Sequence, residues 1–96
     1  MVKLTWDDTE RNETLVERGL DFASAGEVFA GVRFEFPDGD VWAAGEPVVS
    51  IGFQAGRMVV VTWRAQGDER RILDMRNANE REQKRFGDRL GVIGRP

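Results

Sequence analysis

Arg70-Arg71-Ile72-Leu73-Asp74-Met75-Arg76-Asn77-Ala78-Asn79-Glu80-Arg81-Glu82-Gln83-Lys84-Arg85-Phe86 changes period in its middle. Up to Arg76 it alternates as a strand does, with successive side chains on opposite faces. Uninterrupted alternation puts Arg70, Ile72, Asp74 and Arg76 on one face, and Arg71, Leu73 and Met75 on the other. At Asn77 the pattern turns helical. Asn is a good N-cap, and Glu80 stands at capping-box spacing from it. A strand bearing several arginines therefore runs directly into a helix bearing more. Guanidinium forks held on a strand are well suited to gripping a phosphate. The alternative is that they pair with neighbouring acids on a solvated surface.

Composition narrows the chemistry. The 96 residues predict one domain over residues 1–90, followed by a flexible tail at 91–96. An apolar share of 41% and a charged share of 32% suit a soluble globular protein. No run is long enough to span a bilayer and no N-terminal signal pattern stands out, so a cytoplasmic location is expected. There is no Cys, His or Tyr. Thiolate and imidazole mechanisms are excluded, as is a His-ligated metal, and no cofactor is expected. Any catalysis falls to Asp, Glu, Lys, Arg, Asn, Ser or Thr. The net charge of -3 hides a split. Residues 1–47 carry four basic and eleven acidic groups, a net of -7; residues 48–96 carry ten and six, a net of +4. The C-terminal half is the one suited to a polyanion.

Outward from the decisive stretch, the remaining elements follow from capping and periodicity. Val2–Trp6 predicts a short strand. Asp7 and Glu10 mark the start of a helix over Asp8–Arg18, which Gly19 ends; Leu15 and Val16 are its expected inward residues. Phe22, Ala25, Val28 and Phe29 form an apolar stripe on a second helix over Asp21–Ala30. Val32–Phe36 alternates as a half-buried strand. Pro37–Pro47 is a loop, and Trp42 within it is expected to cover the edge of the core, an exposed partner contact being the alternative. Val48–Phe53 and Met58–Trp63 are strands, the second apolar on both faces as a central strand is. Gln54-Ala55-Gly56 and Ala65-Gln66-Gly67-Asp68 supply the turns of an antiparallel meander. The last helix runs from Ala78 to Phe86 or Arg89. The predicted fold class is α+β in the order β-α-α-β-β-β-β-α: an antiparallel sheet, two N-terminal helices on one face, and a short C-terminal helix.

Several pieces, in order, carry a resemblance: Trp6-Asp7; Arg18-Gly19-Leu20-Asp21-Phe22; Ala25-Gly26-Glu27-Val28-Phe29-Ala30; Gly45-Glu46; Ile51-Gly52; Gly56-Arg57-Met58-Val59-Val60-Val61; Gly67-Asp68; Arg70-Arg71-Ile72; and Met75-Arg76-Asn77-Ala78-Asn79-Glu80-Arg81-Glu82. With them the chain resembles the BrnT family of type II toxin–antitoxin systems, small ribonuclease toxins of RelE-like fold. The resemblance implies a metal-independent endoribonuclease that blocks translation, a cognate antitoxin that neutralises it, and contact with DNA only through that antitoxin. It implies RNA as substrate, held by cations of the sheet and last helix, with the developing charge stabilised electrostatically. Arg76, Glu80 and Arg64 are then the candidate catalytic residues, Arg76 first because it stands at the strand–helix junction. Glu80 would act as base or as orienter of an arginine. Arg57, Arg70, Arg71, Arg81 and Asn77 are the candidate RNA contacts.

The chain also departs from the family pattern. Glu10, Glu17 and Arg18 stand where Lys and His are common. Asn77 stands where His or Lys is common, and Asp74 where a small Ser is. Pro47, Val48 and Val49 follow Glu46 where an Arg usually follows. Asp74, on the same strand face as Arg76, would repel a phosphate and compete for the guanidinium. The alternative function is therefore a catalytically weakened or engineered toxin-fold protein that engages an antitoxin, or inhibits another nucleic-acid machine, without cleaving RNA.

Overall fold

The computed structural model describes residues 2–39 and 41–87. The elements follow as β1 (Lys3–Thr5), α1 (Asp8–Arg18), a 3-10 turn (Phe22–Ser24), α2 (Ala25–Ala30), β2 (Phe34–Pro37), β3 (Val48–Gln54), β4 (Arg57–Gln66), β5 (Glu69–Asn77) and α3 (Glu80–Phe86). The five strands form one sheet in the order β1-β5-β4-β3-β2. The fold is α+β. The sheet is mixed rather than wholly antiparallel, because β1 pairs with β5 in parallel, Lys3 opposite Glu69. A first strand that returns to the last after six other elements has no turn to mark its direction, so local sequence carries no sign of it.

β4 separates two cores. Val59, Val61 and Trp63 pack with Leu20, Phe22, Ala25, Val28, Ile72 and Met75 beneath α2. Val60 and Met58 pack with Val49, Ile51, Ala78 and Phe86 on the opposite face, beneath α3. Phe34 and Phe53 pack against this second core, and the rings of Phe34 and the exposed Phe36 lie 5.2 and 6.2 Å from that of Phe86. A strand buried on both faces needs apolar residues at odd and even positions alike, which is what Met58–Trp63 supplies.

Alternation along β5 is interrupted. Thr62 pairs with Asp74 but Trp63 pairs with Ile72, so Leu73 is an extra residue in a β-bulge. A bulge shifts the phase of everything beyond it. Ile72 and Met75 consequently enter the same core although they stand three positions apart, an odd spacing. The single-face grouping of Arg70, Ile72, Asp74 and Arg76 is thereby overturned. By register, Arg70 and Ile72 lie on the α2 face; Arg71, Asp74 and Arg76 lie on the α3 face.

The helices are capped as the local chemistry dictates. The Asp7 carboxylate accepts from the Glu10 amide, and Gly19 takes φ 70, a left-handed conformation that suits glycine. The apolar reading of α1 is corrected: Val16 is 85% exposed and Leu15 39%, while Thr14 is the buried residue. α1 therefore adds little to the core. The stripe of Phe22, Ala25 and Val28 is buried, divided between the 3-10 turn and α2. At the C-terminal end the cap is Asn79, not Asn77. The Asn79 side chain accepts from the Glu82 amide and Glu82 accepts from the Asn79 amide, a reciprocal capping box. β5 persists to Asn77, and the Ala78 amide donates to the Met58 carbonyl at 2.9 Å, so pairing with β4 delays the helix. Trp42 does not cover the core; it is 61% exposed. The expected extension of the helix to Arg89 and the tail at 91–96 lie outside the described residues.

β3 and α2 approach closely at Gly52. A Cβ there would meet Val28 Cγ1 at 3.0 Å and Arg33 Cβ at 3.3 Å. Gly52→Ala should lower stability by about 1–3 kcal/mol, read from urea-unfolding midpoints, because a packed core resists an added methyl. Val16→Lys, on the solvent side of α1, should stay within about 0.5 kcal/mol of wild type.

Candidate functional site

The predicted site residues separate into three environments. Arg70 belongs to the α2 face. Its guanidinium carbon lies 4.2 Å from the centre of the Phe29 ring and 4.8 Å from that of Trp63. The two rings meet edge to face at 5.6 Å. Burial, with the nearby Arg33 charge, pulls the Arg70 pKa below its usual value. Beneath it a polar chain is fully paired: Trp63 Nε1 donates to Ser50 Oγ at 2.8 Å, and Ser50 Oγ donates to Glu35 at 2.8 Å. Glu35 also accepts from Arg33, whose guanidinium donates to the Phe29 carbonyl at 2.7 Å. Burial opposes ionisation of Glu35, but the hydrogen bonds from Arg33 and Ser50 outweigh it and hold the carboxyl below its ordinary value. Arg70 is thus a lid on the larger core, and it does not join Arg76.

The α3 face gathers Arg64, Arg71 and Arg76. Arg64 and Arg71 are direct register partners across β4 and β5. Like charges placed opposite each other cost stability. Neither makes an ion pair with any described residue, and the Arg64 Nε is buried without a hydrogen-bond partner. Arg76 is partnered with Val60 on the same face, about 13 Å along the strand at roughly 3.3 Å per residue. Asp74, opposite Thr62, stands between the pair and Arg76.

Arg76 is held by Glu82. Arg76 Nη1 and Nη2 donate to the two Glu82 carboxylate oxygens, each at 2.8 Å, a bidentate fork. Glu82 Oε1 also accepts the Asn79 amide at 2.9 Å. One carboxylate therefore joins the end of β5 to the first turn of α3 and fixes the guanidinium plane. Glu82 is 19% exposed, and the hydrogen bond from Arg76 holds its pKa below the ordinary value. The same contact raises the Arg76 pKa. The carboxylate that orients Arg76 is thus Glu82 and not Glu80. Glu80 is 87% exposed and lies 3.7 Å from Lys84. The signal was present in the sequence, since Asn79 and Glu82 have the capping-box spacing that was read instead at Asn77 and Glu80. Asp74 is also engaged: Arg18 Nη1 donates to it at 3.0 Å and to the Met75 carbonyl at 2.9 Å.

Arg57 and Asn77 occupy a third place. They line a cavity of about 510 Å³ at the end of the sheet, with Phe53, Met58, Ala78 and Gln83 among the other walls. Arg81 is exposed on α3 and pairs with no described residue. Among the described residues no group of three or more acidic side chains could hold a metal ion.

Glu82→Gln should destabilise the protein at neutral pH. A carboxyl depressed in the folded state contributes stability above its unfolded value, and that contribution is lost as pH falls through the folded value. The gap between wild type and Glu82→Gln should therefore shrink as pH drops below about 4.5, the ordinary glutamate value. Unfolding midpoints measured at pH 7 and pH 3 check this; a gap independent of pH refutes it.

A search of curated proteins finds no match. Residues 6–82 match the family model described as "Ribonuclease toxin, BrnT, of type II toxin-antitoxin system". The chain is also similar to the Brucella abortus ribonuclease toxin BrnT, known from a 1.1 Å crystal structure. The TM-score is 0.67 at 26% sequence identity, over 83% of this chain and 100% of that one. With a mixed five-stranded sheet and three α-helices among its described residues, and a match across most of its length, the chain belongs to the BrnT family of type II toxin–antitoxin ribonuclease toxins.

Proposed function

We propose that this member cleaves RNA without a metal, through arginines on the α3 face of a RelE-like sheet, and is neutralised by a cognate antitoxin. The observation that carries the reading is the Arg64–Arg71 pair, two guanidinium groups set opposite each other with no carboxylate partner among the described residues. Folding tolerates that repulsion at a cost, and a bound phosphate removes it. The basic balance of residues 48–96 fits the same substrate. In the proposed reaction the ribose 2′-oxygen attacks the adjacent phosphorus, and the bond to the 5′-oxygen breaks. The products are a 2′,3′-cyclic phosphate and a 5′-hydroxyl. Arg64 and Arg71 stabilise the charge developing on the non-bridging oxygens, and Arg76, fixed by Glu82 further along the strand, holds another phosphate of the same RNA. Glu80, exposed and not engaged by an arginine, takes the 2′-proton; water protonates the leaving oxygen. DNA is contacted only through the antitoxin, and the complex works in the cytoplasm.

Incubation of the purified protein with a long RNA tests this. Cleavage should continue in EDTA and fall at least tenfold in Arg64→Ala/Arg71→Ala, with a weaker dependence of RNA binding on salt. Cleavage restored only by a divalent metal, or untouched in the double variant, removes the reading.

A second reading rests on the ion pairs at the strand–helix junction. Arg76 is neutralised by Glu82, and Asp74 sits on the same face. On this reading the protein is a weakened toxin whose main activity is to occupy its antitoxin. Asp74→Ser and Glu82→Gln would then raise RNA cleavage over wild type. If Glu82 instead positions Arg76 for catalysis, Glu82→Gln lowers it.

A further inference from the structure

The cavity at the end of the sheet lies beside Arg76 but takes no part in holding the phosphate as derived above. Its walls come from three places in the chain. Phe53, Gly56, Arg57 and Met58 belong to the β3–β4 hairpin; Asn77 and Ala78 link β5 to α3; Gln83 and Gly87 belong to α3 and its end. The hairpin turn is tight, with Ala55 at φ 52 and Gly56 at φ 78, and Gly56 adds no side chain to its rim. The hydrogen bond from the Ala78 amide to the Met58 carbonyl pins the floor. Gln83 is fixed by donation from its Nε2 to the Ala78 carbonyl at 3.1 Å, and its amide oxygen accepts from no described residue. Arg57 and the Asn77 side chain make no hydrogen bond with a described residue.

We infer that this cavity receives one unstacked nucleobase of the RNA, the one next to a phosphate held by Arg76, and that it favours guanine. The inference rests on the proposed ribonuclease reading for its position relative to the cut. The chemistry of the walls is that of single-stranded base recognition: an aromatic surface at Phe53, apolar contact at Met58, and amides and a guanidinium that reach base edges. The volume of about 510 Å³ falls within the ~300–1,000 Å³ of small-molecule sites. Arg57 offers only donors. Guanine presents two adjacent acceptors, N7 and O6, to such a fork, whereas the exocyclic amines of cytosine and adenine present a donor to it. Asn77 and the Gln83 oxygen are then available for the remaining polar atoms of the base. Continuity along the chain ties the pocket to Arg76, because Arg76 directly precedes Asn77 and its guanidinium also donates to the Asn77 carbonyl at 3.3 Å.

Two measurements test it. The first is a titration of wild-type protein with 5′-GMP, 5′-CMP and inorganic phosphate, followed by the side-chain amide resonances of Asn77 and Gln83. Saturable shifts are expected with GMP, at least tenfold weaker with CMP, and lost in Arg57→Ala; the fold of that exposed-site variant is checked by its unperturbed core resonances. Equal shifts with CMP or with phosphate alone overturn the inference, as does silence with GMP. The second is a map of cut sites in a long RNA. A guanine should be enriched at one fixed position relative to the cut, and Arg57→Ala should relax that enrichment roughly tenfold or more. Cleavage without a base preference, or with one that Arg57→Ala leaves intact, overturns the pocket while the ribonuclease reading stands. GMP binding at these amides without RNA cleavage sinks the ribonuclease reading and leaves the pocket.

Discussion

The extra residue at Leu73 governs which charges can act together. Without it, strict alternation would carry Arg70 and Ile72 to the side of the sheet that holds Arg76. With it, Ile72 and Met75 both reach the core under α2, and Arg71 changes sides to stand with Arg76. One unpaired residue therefore satisfies two demands that a regular strand sets against each other. It fills the larger core on both sides of the bulge, and it turns a second arginine towards the face that α3 partly covers.

The two faces then treat their arginines differently. On the α2 face Arg70 is flattened over Phe29 and Trp63, above a chain of hydrogen bonds that ends on Glu35. Its work there is to shield aromatic surface while keeping some hydration, as long cationic side chains do. On the α3 face the charges are graded. Arg64 and Arg71 face each other unneutralised, whereas Arg76 is gripped by Glu82. A gripped guanidinium has lost its conformational entropy in advance and keeps N–H groups outside the fork, so pairing and positioning are two aspects of one contact. The balance between them depends on how much of the cation's field survives the carboxylate beside it.

The extent to which this was legible in the sequence follows from the range of each interaction. α1 was readable to the residue, because Asp7, Glu10 and Gly19 act within one turn of themselves. The two-sided apolar run of β4 marked it as central for a similar reason. What failed involved competition between distant segments. Asn77 has the chemistry of a cap, but pairing with β4 keeps it in the strand and hands the cap to Asn79. Val16 has the chemistry of a core residue, yet α1 lies against β5 and the 3-10 turn and buries Thr14 instead. The bulge left no local sign, since Leu73 is as acceptable in a regular strand as in an irregular one. The site was legible in its residue types, and it was not legible in how they divide between faces, because that division is set by the register.

Arg18 has a consequence for how this protein meets other chains. β1 covers β5 only opposite Glu69–Arg71, so among the described residues no strand lies beside the outer edge of β5 beyond that point. Arg18 lies across that edge, donating to the Met75 carbonyl while its charge rests on Asp74. A foreign strand adding itself there would have to evict a cation from both partners and leave Asp74 behind it unpaired. The single arginine is thus a guard against edge-to-edge aggregation, and among the described residues β2, at the far side of the sheet, is the margin left open to strand addition.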